Sequence, residues 1–270
     1  MTFLFLNIFN TISFLYMNSF ATSSDPTGAL TLEQEKQVAA AAALRWVRDG
    51  MLLGLGTGST SAQFIIQLGA AVRGGLRVQG TATSVASEAL ARQVGIPLVE
   101  PRRGLRFDLA VDGADELDPH LRLIKGGGGA LLREKVLETA SDYLLVVADS
   151  SKLVPVLGRF PLPLEVVPFA LPWVLDAVGA LGGAPVVRMA KDDPTAYYYS
   201  DQKNLLVDCH FGQIANAEQL AVQLKTIPGI VEHGLFLGLA KAAVIVRDGA
   251  ALVLRPGEAA RPATEFLEMP

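Results

Sequence analysis

Three short segments carry the residue types that could do chemistry. The first is Gly54-Leu55-Gly56-Thr57-Gly58-Ser59-Thr60. Glycines let backbone approach an anion, and a helix start beyond them offers free N–H groups and a positive dipole end. Thr57, Gly58, Ser59 and Thr60 therefore suit a phosphate. No Gly-Lys-Ser/Thr follows, so this is not a P-loop. Ser59 replaces the last glycine of the dinucleotide fingerprint, and Thr81-Ala82-Thr83-Ser84 places no acid for a ribose. A glycine turn with no ligand fits the same residues. The second segment is Asp112-Gly113-Ala114-Asp115-Glu116, directly after an apolar run. Two Asp three residues apart in a Gly turn can aim both carboxylates into one crevice. Such a pair could do acid–base work, bind sugar hydroxyls or hold Mg²⁺, although Asp and Gly also favour ordinary turns.

The third segment is Lys125-Gly126-Gly127-Gly128-Gly129-Ala130, running into Leu131-Leu132-Arg133-Glu134-Lys135. Four consecutive glycines are costly in chain entropy, so a close approach or an unusual backbone conformation must justify them. Lys125 ends an apolar-leaning run and can reach a crevice. At about 100° per residue, Leu132, Val136 and Ala140 share one helix face and Glu134 points away from it. By periodicity alone Glu134 reads as a solvated glutamate, like Glu138. Lys152, in Asp149-Ser150-Ser151-Lys152, follows another apolar run, and Lys36 lies in the first expected helix. Cys209 reads as a packed core thiol. With one cysteine and three scattered histidines, no disulfide framework or Cys/His metal pattern is available.

The elements that position these segments alternate. Helices are expected over 31–49, 60–72, 87–94 and 130–140. Strands are expected over 51–55, 76–81, 105–111 and 143–148. Thr31 and Gln34 fit a capping box at the first helix start. Strand–helix alternation argues an α/β fold with a mainly parallel sheet. Beyond Phe160-Pro161-Leu162-Pro163 the pattern changes. A proline-bounded strand over 164–167 is expected at a sheet edge. A helix over 172–181, strands over 185–189 and 204–209, and a helix over 217–225 suit a small α+β unit. Residues 191–203 read as a long exposed hairpin loop, and 243–246 and 251–254 as closing strands.

The chain has 270 residues, 50% hydrophobic and 19% charged, enough to bury a full core. A net charge of −4 argues against a nucleic-acid binder. The first 24 residues carry no charged side chain and hold five of the 12 Phe. They lack the basic n-region of a secretory signal, and polar residues interrupt them as a membrane span. Residues 1–27 are therefore expected to be an appendage outside the fold.

Taken together, GTGST (56–60), VDGADE (111–116), IKGGGGALLREK (124–135), ADSSK (148–152), FPLPLEV (160–166) and IPGIVEHGLF (227–236) resemble ribose-5-phosphate isomerase of the A type. Each motif is weak alone, but the ordered set is specific. The resemblance implies a Rossmann-like, mainly parallel α/β domain (28–158 and 235–270) with an inserted small α+β, ferredoxin-like lid (159–234). It implies interconversion of D-ribose 5-phosphate and D-ribulose 5-phosphate through a cis-enediolate. By the same resemblance Glu134 is the general base, Asp112 and Asp115 handle sugar hydroxyls and ring opening, and Lys125 stabilises the oxyanion. Thr57, Gly58, Ser59, Thr60, Gly113, Ala114, Gly126, Gly127, Gly128, Lys152 and Lys36 would surround the substrate. No metal or cofactor is expected, since a lysine and backbone N–H groups can stabilise an oxyanion. A cytoplasmic homo-oligomer, dimer or tetramer, is expected, with no nucleic-acid or membrane partner. A sugar-phosphate-binding regulator or a deaminase of related fold is the alternative. The first would normally carry a basic DNA-binding segment, which is missing here, and the second lacks the KGGGGALLREK run.

Overall fold

The computed structural model describes residues 30–265. The expected appendage at 1–27 lies outside them.

The main sheet has seven strands. Five of them run parallel: β1 (Leu52–Leu55), β2 (Gln79–Ala82), β3 (Leu109–Asp112), β6 (Leu144–Ala148) and β12 (Ala240–Arg247). Their spatial order is β2-β1-β3-β6-β12, and β13 (Ala250–Leu254) and β14 (Arg261–Pro262) add antiparallel at the β12 edge. Every residue of β6 is buried, as expected for a parallel strand covered on both faces. Alternate side chains serve two cores. Leu53, Leu55, Val111, Leu145, Val147 and Val244 pack in the cluster that includes Ala39, Phe64 and Leu68 of α1 (Leu32–Ala43) and α2 (Ser59–Arg73). Ala110, Leu144, Val146 and Ile245 pack in the cluster that includes Leu131 and Leu137 of α4 (Leu131–Thr139). Each fully buried Leu or Val stabilises by about 1.5–3 kcal/mol.

The capping box at Thr31 forms as expected, with reciprocal bonds to Gln34. Helix α1 ends earlier than expected and tightens into a 3-10 turn at Leu44–Trp46. Helix α3 (Val85–Gln93) follows β2, and Ser84 caps it. Strand β3 starts later than expected and includes Asp112, so the acidic turn grows out of the strand itself.

A second, four-stranded antiparallel sheet is built from β7 (Leu162–Val166), α5 (Leu171–Ala180), β8 (Ala184–Val187), β9 (Leu205–His210), α6 (Ala217–Lys225) and β10 (Ile230–His233). Its order, β10-β7-β9-β8, is the ferredoxin-like βαββαβ arrangement. The expected edge position of the 164–167 strand is wrong. Strand β7 is central, paired with β9 on one side and β10 on the other. Its prolines do not prevent this. Pro161 and Pro168 lie outside the strand, and Pro163 lies one residue past the last β10 pair, His233 with Leu164. Cys209 is fully buried in this sheet, and burial pushes its thiol up to about 12, as a packed core residue requires. Three two-residue strands, β4 (Glu116–Leu117), β5 (Leu123–Ile124) and β11 (Leu235–Phe236), make a small third sheet. Among the described residues no helix is long and apolar enough to cross a membrane.

Candidate active site

The carboxyl ends of three neighbouring parallel strands, β1, β3 and β6, open on one crevice, the usual ligand position in such sheets. The turn after β1 carries Thr57 and Gly58. Gly58, at φ +112°, leads into α2, whose first turn has no side-chain cap and no acidic residue. Its leading N–H groups have no intrahelical acceptor. The turn after β3 carries Gly113 to Asp115, and the turn after β6 carries Lys152. Lys125 follows β5. The cleft is lined by Thr57, Gly58, Ser59, Thr60, Gly113, Ala114, Asp115, Lys125, Gly126, Gly128, Glu134 and Lys152. The structure thus brings together residues from four motifs spread over almost a hundred positions. A larger groove of about 690 Å³ lies on the Leu132–Val136 side of α4, and its Glu88 and Arg92 are paired with each other.

Three of the expected residues stand elsewhere. Lys36 pairs with Glu33 at 3.2 Å and does not line the cleft. Gly127 sits behind Asp115, to which it donates its N–H at 2.7 Å. Asp112 is 1% exposed and lies beneath the cleft floor. Its Oδ1 accepts from Thr57 N–H (2.9 Å), the Ser61 hydroxyl (2.9 Å) and Gly113 N–H (2.7 Å), locking the first and second motifs together. Gly56 must be glycine here, because a Cβ would lie 2.1 Å from the Asp112 carboxyl carbon.

The expected core face of α4 is the wrong one. Val136 is 63% exposed, whereas Leu131, Glu134, Leu137 and Glu138 are buried. A pattern of apolar residues marks the buried face only when burial is hydrophobic, and here the helix turns two carboxyls inward. They are held by Lys125, whose Nζ lies 3.7 Å from Glu134, 3.3 Å from Glu138 and 3.0 Å from Asp112, and donates to Gly113 O at 2.6 Å. Neither glutamate is solvated. Burial raises the Glu134 carboxyl to about 8; Lys125 opposes this, while Asp112 and Asp115 add to it. Burial also raises Asp115, against the Gly127 N–H and the Lys125 charge. Burial alone would lower Lys125, but the three carboxyls hold it above the ordinary lysine range. A base tuned to near neutrality beside a fixed cation can remove a proton α to a carbonyl and stabilise the resulting oxyanion.

Several supporting residues escaped the sequence reading. Glu138 was legible, since it stands four residues after Glu134 and so shares its face. Thr83, Ser84 and Ser87 surround the Thr57 hydroxyl at 2.8, 2.8 and 3.1 Å and brace the first motif. Glu35 accepts from Ser150 N–H at 2.8 Å, tying α1 to the turn that carries Lys152. Arg188, just after β8, makes an ion pair with Asp208 and donates to the carbonyls of Gly126 and Gly127 at 3.0 and 3.1 Å. The hairpin expected over 191–203 forms with Tyr197 and Tyr199 exposed. Its Tyr198, however, folds in against Gly129, where a Cβ would lie 2.4 Å from the phenol oxygen. No local signal reveals these last contacts, because their partners lie about 60 residues away.

The glycine run is explained mainly by protein neighbours and less by room for a ligand. Only Gly128 has no close neighbour, its added Cβ meeting Thr57 Cγ2 at 3.4 Å. At Gly127 a Cβ would lie 2.5 Å from the Asp115 carboxylate. Gly127→Ala should therefore displace Asp115 and lower kcat/KM by about tenfold or more, because small misplacements in a reacting geometry are costly. Steady-state kinetics check this, and a variant at wild-type efficiency would show that Asp115 need not stay where it is.

Known proteins resemble this chain over most of its length. The family model for ribose 5-phosphate isomerase A (phosphoriboisomerase A) matches residues 79–249. The ribose-5-phosphate isomerase A of Nitrobacter hamburgensis is 50% identical over 222 residues, covering 80% of this chain and 95% of that protein. The ribose 5-phosphate isomerase A structure from Methanocaldococcus jannaschii superposes with a TM-score of 0.79 at 38% identity, over 83% of this chain and all of that one. A D-ribose-5-phosphate isomerase in complex with phospho-erythronic acid superposes with a TM-score of 0.81 at 34% identity, over 84% of this chain and all of that one. With residues of four of its motifs gathered at one cleft and nearly the full length of these relatives covered, the chain belongs to the ribose 5-phosphate isomerase A family.

Proposed function

We propose that Glu134 is the base with which this family member interconverts D-ribose 5-phosphate and D-ribulose 5-phosphate. The observation that carries the assignment is a buried carboxyl, raised to about 8, facing the cleft beside the Lys125 ammonium. In the open-chain aldose Glu134 takes the proton from C2. The electron pair moves toward the C1 carbonyl, giving a cis-enediolate whose oxygen is held by Lys125 and the surrounding N–H groups. The proton on O2 passes to O1, the oxygen that received the electron pair. Glu134 then returns its proton to C1, and the C2 carbonyl of the ketose forms with no net gain or loss of atoms. Asp115, on the cleft wall, is placed to hold sugar hydroxyls and assist ring opening. The uncapped start of α2, with Thr57 to Thr60 and Lys152, suits the phosphate. The neighbour bound to a phosphorylated sugar acid supports a ligand of this class.

The test is direct. The purified chain, mixed with ribose 5-phosphate in D₂O, should yield ribulose 5-phosphate with deuterium at C1 and exchange at the aldose C2, read by NMR. Conversion without any solvent exchange at high turnover would argue for a hydride shift and against an enediolate. No conversion would remove the activity itself. A lysine already supplies the positive charge that the developing oxyanion needs, so turnover should persist in a strong chelator. Activity lost to the chelator and restored by added metal would overturn that arrangement.

The same reading takes the four-stranded sheet of 159–234 as a lid over the 28–158 and 235–270 catalytic domain, in a cytoplasmic homo-oligomer. Phe169, in the turn before α5, and Trp173, in its first turn, are 82% and 62% exposed, which suits a subunit contact. Light scattering of the purified protein would decide this.

A further inference from the structure

Glu138 takes no part in the reaction just described, yet it is 2% exposed. It lies one helical turn after Glu134, on the same face of α4, so its carboxyl also reaches Lys125. Asp112, Glu134 and Glu138 thus share one ammonium, and none of the three is more than 3% exposed. Three anions around a single cation would leave two negative charges uncompensated away from water, which is strongly unfavourable.

The hydrogen bonds bear on which carboxyl is neutral at rest whatever the state of the base. Asp112 Oδ1 accepts three donors, the environment of an anion. Beyond the Lys125 ammonium, 3.0 Å from Asp112 Oδ2 and 3.3 Å from Glu138 Oε1, no donor from outside this pair reaches Asp112 Oδ2 or either oxygen of Glu138. The two carboxyls share that ammonium, and a hydrogen bond between them contributes to the upward shift of Glu138. One proton on Glu138, donated to Asp112 Oδ2, satisfies both groups. Among the described residues Lys125 is the one cation that pairs with either group. Lys135, on the same helix, turns away to Glu232 (2.9 Å) and the His233 carbonyl (2.5 Å) of β10. Burial raises Glu138 well above the ordinary carboxyl range; Lys125 opposes this, and Asp112 and Glu134 reinforce it.

We propose that Glu138 is a positioning residue, a neutral carboxylic acid behind Lys125 that donates its hydrogen bond to Asp112. It thereby fixes the Asp112 carboxylate that anchors two cleft turns. It also leaves the Lys125 charge to Asp112, the base and the oxyanion. The catalytic half of this statement rests on Glu134 as base; the protonation half does not.

Two measurements on the full-length chain separate them. The first is an infrared difference spectrum of wild type minus Glu138→Gln at neutral pH. It should show a protonated-carboxyl C=O band that shifts in D₂O, and its absence overturns the proposal whatever the role of Glu134. The second is the pH profile of kcat/KM. Glu138→Met leaves Asp112 Oδ2 with Lys125 alone and should lower kcat about tenfold with KM little changed. Glu138→Gln offers a neutral N–H donor and should recover most of that loss, with the acid limb at the wild-type pH. If the acid limb of Glu138→Gln falls by about one unit or more, a charge has been removed beside the base, so Glu138 is an anion and the proposal fails. That comparison stands even if Glu138→Met does not fold. Should Glu134→Gln keep turnover, the base assignment falls while the infrared result still decides the protonation of Glu138.

Discussion

Glu134→Gln should lower kcat by about 10³-fold or more, with KM changed no more than about threefold, because a positioned general base typically contributes 10²–10⁴-fold. Gln fills the same volume but cannot take the C2 proton. The wild-type pH dependence should carry the same signature. The carboxyl is raised to about 8, and only its deprotonated form is a base, so kcat/KM should climb with pH and level off above about 8. The stability consequence has the opposite sign. A carboxyl whose folded value lies above its unfolded value of 4.5 binds more protons in the folded state. The wild type therefore loses stability as pH rises from the ordinary carboxyl range through about 8. Glu134→Gln escapes that loss and should unfold at a higher temperature than the wild type at pH 8, read by calorimetry. A variant that is inactive and also less stable at pH 8 would point to a broken fold, and near-normal turnover would remove Glu134 from the reaction.

Lys125→Met should be comparably severe, for two separable reasons. The side chain is 3% exposed and is the shared partner of Asp112, Glu134 and Glu138. Removing one member of a buried ion pair typically costs about 3–5 kcal/mol, because the remaining charges are left uncompensated. The kinetic loss has its own origin. Removing an oxyanion stabiliser costs about 10²–10³ in kcat. The Lys125 charge also opposes the upward shift of Glu134, so without it the base is protonated to higher pH and the acid limb moves above about 8. Denaturant titration measures the first effect and a pH–rate profile the second. If the variant unfolds at the wild-type denaturant concentration, with its acid limb unmoved, the cluster is not organised by Lys125.

Much of this molecule is legible from local pattern. Apolar runs such as Leu144 to Ala148, and the alternation of strands with helices, announce a parallel sheet because a strand covered on both faces must be apolar throughout. The glycine and acid turns betray themselves because they follow those strands, and strand ends are where such sheets place ligands. The capping box at Thr31 is local chemistry and forms as read.

Where pattern misled, a non-local contact was responsible. The 164–167 strand looked like an edge because proline donates no ladder bond. It became central because on the β10 side Pro163 supplies only its carbonyl, which accepts Gly234 N–H at 2.7 Å, while the Gly234 carbonyl is taken by Lys125 N–H. The face of α4 was misjudged because apolar periodicity assumes that burial means hydrophobic burial.

The sequence by itself determined the inventory: which strands form the sheet, which turns hold glycine and acid, and which lysines follow strands. Only the tertiary structure decided the charge states. Withdrawal from water, reinforced by neighbouring carboxyls and held in check by one ammonium within 4 Å of three of them, turns Glu134 into a base poised near neutrality. That outcome depends on desolvation and on distances between residues brought together from β3, β5 and α4, quantities that no spacing along the chain encodes.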